Sequence, residues 1–243
     1  MNRFVVVAPG FNCEATVEQF LLSLAAQSYK NWQLIYIDDV STDNTLHLVS
    51  TISARLGIGS KVHIIRNSEK KWEVANVLAG IRHEITQPDD IICRIDPDDY
   101  LCDNDAFRII SDVYTQCRCD VLWTKHRWFD DKHLTDFNIS AHMLLAADPY
   151  VHPWVSSHLK TFRRHLIDDV NEDNFRGDDG KYIKRAGDQA IYLPVLWHAK
   201  NKMFLPVVTY SYRCNLEPAT FQTPDAKFQA AEAEFLRKRG YVP

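Results

Sequence analysis

The 243 residues of this chain have the composition of a globular protein, with 46% hydrophobic and 25% charged residues. A net charge of −4 argues against a nucleic-acid-binding protein that works by bulk electrostatics. No apolar run approaches the roughly 18 residues of a membrane-spanning helix, and the apolar stretch at the start is too short for a signal peptide. The six cysteines lack the spacing of a zinc site. We therefore expect reduced thiols in a cytoplasmic protein that has at most peripheral contact with a membrane.

Short apolar runs alternate with helical stripes along the first hundred residues. Four continuous apolar runs are typical of strands buried on both faces: 4–7, 34–37, 62–65 and 91–95. Three stripes with apolar residues at helical spacing separate these runs: 17–25, 48–56 and 74–81. The alternation predicts an α/β fold, with a doubly wound, mostly parallel central sheet and helices on both faces.

Two clusters of acidic residues directly follow predicted strands: Asp38 and Asp39, and then Asp96, Asp98 and Asp99. Carboxylates this close repel one another, and a divalent cation that prefers oxygen ligands would remove the repulsion. For the second cluster taken alone, a solvent-exposed Asp-Pro-Asp turn is an equally good interpretation. Parallel sheets bind ligands outside the carboxyl ends of their strands, so two acidic strand ends favour a binding site there.

Four motifs in this part of the chain resemble those of the family 2 glycosyltransferases of GT-A fold. They are Pro9-Gly10-Phe11-Asn12, Gln27-Ser28-Tyr29, Ile37-Asp38-Asp39-Val40-Ser41-Thr42-Asp43-Asn44-Thr45 and Asp96-Pro97-Asp98-Asp99. The resemblance is close over residues 4–102 and departs from the family at Lys70-Lys71-Trp72-Glu73, where a glycine-rich segment is common. It implies a single GT-A domain over residues 1–243. Residues 1–102 would bind the nucleotide sugar, and residues 103–243 the acceptor.

The resemblance also implies roles for individual residues of the donor site. By similarity, Pro9 and Asn12 line the nucleotide pocket, Asp39 accepts a hydrogen bond from uracil N3–H, Asp96 faces the ribose, and Asp98 binds Mn²⁺ or Mg²⁺. An alternative role for Asp39 is the electrostatic stabilisation of a helix end. For Asp38, a structural hydrogen bond and a functional role are equally good interpretations.

Asp188 is the candidate catalytic base. Gly187-Asp188-Gln189 resembles an acidic motif that the family carries at the start of a helix lining the acceptor site. An inverting transfer needs a carboxylate that takes the proton of the acceptor hydroxyl, and partial burial would raise its pKa towards neutrality. One alternative is that Asp188 only caps its helix. Another is that the base is Asp178 or Asp179, in a segment that looks solvent-exposed.

Three further features of the second half have two interpretations each. Trp154, after Pro153, is the best candidate for stacking on an acceptor sugar, and ordinary packing is the alternative. The basic residues of the segment 158–164 either reach a phosphate or lie on a solvated helix surface. Arg237-Lys238-Arg239 either complements the end of a last helix or contacts a membrane or a lipid acceptor.

The sequence therefore predicts a glycosyltransferase that transfers a sugar from a UDP-sugar to a glycan or lipid-linked acceptor, with inversion and with a divalent metal ion. No nucleic-acid partner is expected. A nucleotidyltransferase of related fold is one alternative, although such enzymes usually carry a glycine-rich loop where this chain has Pro9-Gly10-Phe11-Asn12. A non-catalytic module that binds a sugar or a nucleotide is the other.

Overall fold

The computed structural model describes residues 1–129, 134–135, 139–143, 147–213 and 224–243. The first half contains β1 (Phe4–Gly10), α1 (Val17–Ala25), β2 (Trp32–Asp38), α2 (Thr45–Arg55), β3 (Val62–Arg66), α3 (Trp72–Ile81), β4 (Ile91–Arg94) and β5 (Tyr100–Leu101). The second half contains α4 (Ala106–Cys117), β6 (Val121–Phe129), β7 (Leu134–Thr135), β8 (Lys160–Arg163), α5 (Gly187–His198), β9 (Lys202–Arg213) and α6 (Pro224–Arg239).

Within the described ranges, all strands belong to one sheet of order β3-β2-β1-β4-β8-β6-β9-β5, in which β7 also pairs with β6. The strands β3, β2, β1 and β4 are parallel, as the alternation of strands and helices predicts. Strand β8 runs antiparallel to both β4 and β6, and β9 is parallel to β6. The predicted α/β fold is therefore confirmed, with a parallel first half and a mixed second half in one continuous sheet.

Helices cover both faces of the sheet. Successive side chains of a strand point to opposite faces, so Val5 and Val7 contact a core with α3 and α5, whereas Phe4 and Val6 contact a second core with α1, α2 and α4. All four side chains are fully buried. Burial on both faces explains why the parallel strands appear as continuous apolar runs in the sequence.

Two strand ends and one helix start meet at one edge of the sheet. Strand β2 ends at Asp38, and β4 ends at Arg94, two residues before Asp96. Helix α5 begins at Gly187 and carries Asp188 in its first turn. Residues that are far apart in the sequence are thus brought together outside the carboxyl ends of the parallel strands.

Neither a membrane-spanning helix nor a disulfide bond occurs in the part of the chain that the structure describes. None of its helices combines the length and the apolar character that crossing a bilayer requires. Five of the six cysteines are described and carry free thiols. The sixth, Cys214, lies outside the described residues.

Candidate active site

Two adjoining cavities open at this edge of the sheet. The first cavity, of about 270 Å³, is lined by residues that include Pro9, Phe11, Asp39, Lys70 and Trp72. The second cavity, of about 330 Å³, is lined by residues that include Asp98, His158, Asp188, Tyr212 and Gln229. Glu73, Arg94, Asp96 and Arg185 line both cavities. The predicted nucleotide side and the predicted acceptor side therefore share a wall of charged residues.

Asp39 binds the start of helix α3. Its carboxylate accepts hydrogen bonds from the N–H groups of Lys71, at 2.8 Å, and of Trp72, at 3.0 Å, and from Nδ2 of Asn67, at 2.8 Å. Burial would raise the pKa of Asp39, but these hydrogen bonds outweigh it and hold the pKa below its usual value. The alternative role of Asp39, stabilisation of a helix end, therefore agrees with its contacts at the start of α3. Asn76 also lies within hydrogen-bonding reach of this carboxylate, and Asp39 lines the first cavity.

Trp72 has an unusual backbone conformation next to Asp39. Its φ of 66° lies in the left-handed region, which bulky residues rarely adopt. The two hydrogen bonds from the N–H groups of Lys71 and Trp72 to Asp39 hold the chain in this turn. Backbone strain of this kind is often found at ligand-binding sites.

The loops after β1 and β2 hold each other in place. Oδ1 of Asn12 accepts a hydrogen bond from Thr42 N–H at 2.9 Å, and Asn12 has a φ of 53°. Asp38 is buried, and its Oδ2 accepts from Ser41 N–H at 3.3 Å, which favours the structural interpretation. Pro9 and Asn12 also line a third cavity, of about 410 Å³, together with Asp98.

The three carboxylates after β4 differ in their surroundings. Asp99 is only 2% exposed and accepts hydrogen bonds from the Tyr210 hydroxyl and from Arg213 N–H, each at 2.7 Å, so it anchors the turn to β9. Asp96 pairs with Arg94 at 2.7 Å. Asp98 lines both the second and the third cavity. Asp96 lines all three cavities but is paired with Arg94, whereas Asp98 is exposed, so Asp98 is the carboxylate of this cluster best placed to meet a cation.

The surroundings of Asp98 fit a divalent cation. Enclosure by the protein and repulsion from Asp96 raise the pKa of Asp98 to about 6, and a bound cation would relieve this unfavourable charge. In the described ranges, no group of three or more His, Cys, Asp or Glu side chains is arranged to hold a metal ion. This donor set suits a cation that takes one or two protein carboxylates and further oxygens from a phosphate ligand.

Arg94 is the centre of a charged network that the sequence analysis did not predict. It is 7% exposed, and its guanidinium contacts Oε1 of Glu73 at 2.5 Å, Oδ1 of Asp96 at 2.7 Å and Oδ1 of Asp188. A charge taken out of water needs partners of opposite sign. The sequence signal for this network was a lone arginine in the apolar run 91–95. In a strand that is buried on both faces, an arginine side chain needs acidic partners to compensate its buried charge.

Asp188 lies between two cations. Nζ of Lys160 is 2.5 Å from its Oδ2, Arg94 contacts Oδ1, and Nε2 of His158 is 4.0 Å away. Burial would raise the pKa of Asp188, but Lys160 and Arg94 outweigh it, so the pKa lies below its usual value. The expectation of a raised pKa is therefore wrong. Asp188 lies in the first turn of α5, whose N-cap is Ala186, so the capping alternative finds no support.

Glu73 is a second carboxylate of this network. It stands where the sequence departs from the family pattern, and it lines both cavities. Burial raises its pKa to about 7, because Arg94 only partly offsets burial and the nearby Asp188 and Asp96 repel its charge. Glu73 therefore titrates close to neutral pH.

Other candidate residues lie outside the two cavities. Trp154 is half-buried, packs against the core and has the Nζ of Lys160 at 5.4 Å from its ring centre, so it stands behind the site. Asp178 and Asp179 are exposed in a loop, as predicted. Arg164 pairs with Asp168 at 2.5 Å.

Of the two interpretations of the basic residues in segment 158–164, the solvated helix surface is wrong. Lys160–Arg163 form strand β8, in which Lys160 is buried, and Arg163 donates to the carbonyl of Asp89 at 2.8 Å. The strand forms because this segment pairs with β4 and β6, which lie far away in the sequence. Near the C-terminus, Arg237 and Arg239 donate to backbone carbonyls of the protein rather than standing free.

Residues 5–171, more than half of the chain, match the family described as Glycosyl transferase family 2. The chain belongs to this family. EpsE of Bacillus subtilis is 36% identical over 89 residues, which cover 37% of this chain and 30% of EpsE. The Escherichia coli protein named UDP-Glc:alpha-D-GlcNAc-diphosphoundecaprenol beta-1,3-glucosyltransferase WfgD is 32% identical over 78 residues, or 32% of this chain and 27% of WfgD.

The fold of this glycosyltransferase is also found in a solved structure. TarS 1-349 of S. aureus, in complex with UDP-GlcNAc, superposes with a TM-score of 0.71 at 17% identity, covering 91% of this chain and 61% of TarS 1-349. At this identity the likeness shows the GT-A fold alone. The chain matches less than a third of EpsE and of WfgD.

Membership of the family favours a transferase over the nucleotidyltransferase and non-catalytic alternatives. It does not assign every site residue, because the family match ends at residue 171. Asp188 and the helix that carries it lie beyond that point.

Proposed function

We propose that this glycosyltransferase transfers a sugar from a UDP-sugar to a hydroxyl group of a glycan or lipid-linked acceptor, by a single displacement that inverts the anomeric carbon and depends on a divalent cation. The observation that carries the proposal is the convergence of Asp96, Asp98 and Asp188 on one cavity of about 330 Å³. Asp188 lies about ninety residues after Asp96 and Asp98 in the sequence, and the buried Arg94 pairs with both Asp96 and Asp188.

The first cavity suits a nucleoside diphosphate. Lys70, Lys184 and Arg185 line it and surround the ring of Trp72 at 5.4, 5.5 and 4.8 Å from its centre. Cations at this position would offset the charge of a diphosphate. Phe11 adds an apolar surface on which a base can lie.

Uridine is the nucleoside that we favour. Asp39 lines the first cavity, and its carboxylate would accept from the N3–H of uracil, whereas cytosine has no proton there. The name of WfgD contains UDP-Glc, and TarS was solved with UDP-GlcNAc, which supports a UDP-sugar donor here as well.

Asp98 would hold the cation together with the diphosphate of the donor. When bound, a divalent ion neutralises the charge that develops on the leaving diphosphate. Asp96 is held by Arg94 at 2.7 Å, which fixes its carboxylate for a contact with the ribose. The carboxylate of Asp99 already accepts hydrogen bonds from two residues of β9, so we assign it no role in binding the donor.

Asp188 would act as the general base. Its carboxylate takes the proton of the acceptor hydroxyl while the hydroxyl oxygen forms a bond to the anomeric carbon. The bond between that carbon and the β-phosphate oxygen breaks on the opposite side, and UDP leaves. Arg94 and Lys160 keep Asp188 ionised in the free enzyme. The negative charge of a bound donor would weaken their effect and make Asp188 more basic when the substrate is in place.

The acceptor side is the second cavity, where Tyr212 and Gln229 stand near Asp188. The name of WfgD describes a lipid-diphosphate-linked acceptor, and this supports a glycan or lipid-linked acceptor for the present chain. Trp154 stands behind Lys160 and would act on the acceptor site only through that lysine.

Nucleotide binding with and without Mn²⁺ tests the donor and metal parts of the proposal. We expect UDP to bind more tightly than CDP or GDP in calorimetry, and Mn²⁺ to strengthen UDP binding at least tenfold. Asp98→Asn should remove the effect of Mn²⁺ while keeping the unfolding temperature. Asp103→Asn, on the loop that follows β5 and outside the three cavities, is the matched control. Equal affinities for UDP and CDP, or full activity in EDTA, would contradict the proposal.

A further inference from the structure

Helix α6 binds the segment that leads into α5. The carboxylate of Glu232 accepts three backbone hydrogen bonds: from Lys184 at 3.1 Å, from Arg185 at 2.7 Å and from Ala186 at 3.1 Å. Gly187 and Asp188 follow at once. One side chain of α6 thus holds the three residues that precede the candidate base.

Two other contacts join α6 to the same region, and a third residue of α6 lines the second cavity. Asp225 pairs with Arg185 at 2.7 Å, and Arg237 donates to Oε1 of Gln189 at 2.8 Å. Gln229 lines the second cavity beside Asp188. The residues before and after Asp188 are therefore both held by α6, although the family match ends at residue 171 and leaves this helix unassigned.

The physical reason for the Glu232 contact lies at the start of α5. The first N–H groups of a helix have no partners within the helix, and they usually bind a polar side chain at the N-cap. Here the N-cap is Ala186, which has no polar side chain. A carboxylate on another helix binds the N–H groups of Ala186 and of the two residues before it, and so fixes the segment that enters the helix; such charged hydrogen bonds are stronger than neutral ones.

We propose that Glu232 is a positioning residue for Asp188 and that helix α6 forms part of the active site. Glu232 fixes the turn 184–186, and this turn sets the direction from which Asp188 enters the second cavity. The proposal rests on the assignment of Asp188 as the base. A purely structural role, in which Glu232 only attaches α6 to the domain, is the competing explanation.

The two explanations differ in what a conservative change affects. Glu232→Gln keeps the size of the side chain but replaces one acceptor oxygen by an NH₂ group, which cannot accept from an N–H. A displaced base lowers kcat, and a misplacement of about 1 Å can reduce the rate by about 100-fold. A merely detached helix lowers stability instead and leaves the chemistry of properly folded molecules unchanged.

The experiment uses the full chain with Mn²⁺ and measures UDP release from UDP-glucose and from UDP-N-acetylglucosamine. Hydrogen exchange of residues 184–190 is followed in parallel. For Glu232→Gln we expect kcat to fall by about 10- to 100-fold, with KM and UDP affinity within about twofold and faster exchange in this segment. Glu232→Asp, which keeps the charge, should recover part of kcat. Glu234→Gln is the control, because Glu234 is exposed and pairs with the neighbouring Lys238 at 2.7 Å; it should behave as wild type.

Three results would overturn the inference. One is an unchanged kcat in Glu232→Gln, and another is a parallel loss of stability, UDP affinity and kcat. The third is failure of both Glu232 variants to fold, which would assign Glu232 a structural role. Asp188→Asn separates this inference from the proposed function. If Asp188→Asn turns over normally, the assignment of the base is wrong; if it is inactive while Glu232→Gln is normal, only the role of Glu232 is wrong.

Discussion

Removing the positive charge of Lys160 should shift the pH dependence of catalysis. Lys160 is 2% exposed, and its Nζ lies 2.5 Å from Oδ2 of Asp188. It is also the cross-strand partner of Arg94. Two like charges opposite each other destabilise a sheet unless an anion lies between them, and Asp188 is that anion. Each cation therefore favours the ionised form of Asp188.

The size of the effect follows from Coulomb's law. At an effective dielectric constant of about 20, one charge pair about 4 Å apart contributes about 4 kcal/mol, or about three pH units. Arg94 remains in the variant and water compensates in part, so we expect Lys160→Met to raise the pKa of Asp188 by about 1 to 3 units. Because protonated Asp188 is inactive, the acidic limb of kcat/KM should move to higher pH by the same amount.

The assay measures UDP release from a saturating and a limiting UDP-sugar between pH 2 and pH 9 at constant ionic strength. Methionine has a similar shape to lysine and should keep the packing against Trp154. Lys202→Met, on β9 and away from the site, is the matched control. Glu73 titrates near pH 7 and would add its own limb to the pH profile, so the comparison is repeated in a Glu73→Gln background, in which that contribution is absent. An acidic limb that stays at the wild-type pH in both backgrounds would refute the reasoning.

Three further predictions concern the same site. Asp39→Asn should weaken UDP binding about tenfold in calorimetry and change CDP binding little, because a hydrogen bond to a charged group contributes about 1.5–3 kcal/mol. Equal losses of affinity for both nucleotides would argue against the uracil contact. Glu73 has a pKa that folding raises to about 7, so its contribution to stability falls as the pH rises through that value. Urea unfolding should therefore show that Glu73→Gln gains up to about 3 kcal/mol relative to wild type between pH 5 and pH 8, and a constant difference would exclude this titration. The acidic limb of kcat should lie at higher pH than the acidic limb of kcat/KM, because the bound donor makes Asp188 more basic. Coincident limbs would show that the donor does not change the basicity of Asp188.

The first half of the fold was predictable because its signals are local. The strand predicted at 91–95 is β4 (Ile91–Arg94), and the helix predicted at 74–81 is the main part of α3. Each is specified by neighbouring residues, since a strand buried on both faces needs a continuous apolar run and a helix needs apolar residues three and four positions apart. The acidic ends at Asp39 and Asp98 were recognisable for the same reason.

The network around Asp188 was not predictable in this way. Arg94 and Lys160 meet through a pairing of β4 with β8, and no local pattern specifies a pairing between segments so far apart. The sequence alone also suggested a raised pKa for Asp188, because it showed the burial but not the two cations that reverse its effect. Glu232 lies on a helix with few buried residues, and only the fold brings it to the start of α5.

Turnover of Asp188→Asn beside Asp179→Asn tests the central claim most directly. Both changes remove one negative charge and keep the size of the side chain, and Asp179 is exposed in a loop outside the two cavities. We predict that Asp188→Asn lowers kcat by at least about 100-fold while it keeps its affinity for UDP, and that Asp179→Asn behaves as wild type. Normal turnover of Asp188→Asn together with an inactive Asp179→Asn would contradict the account and move the base into the loop.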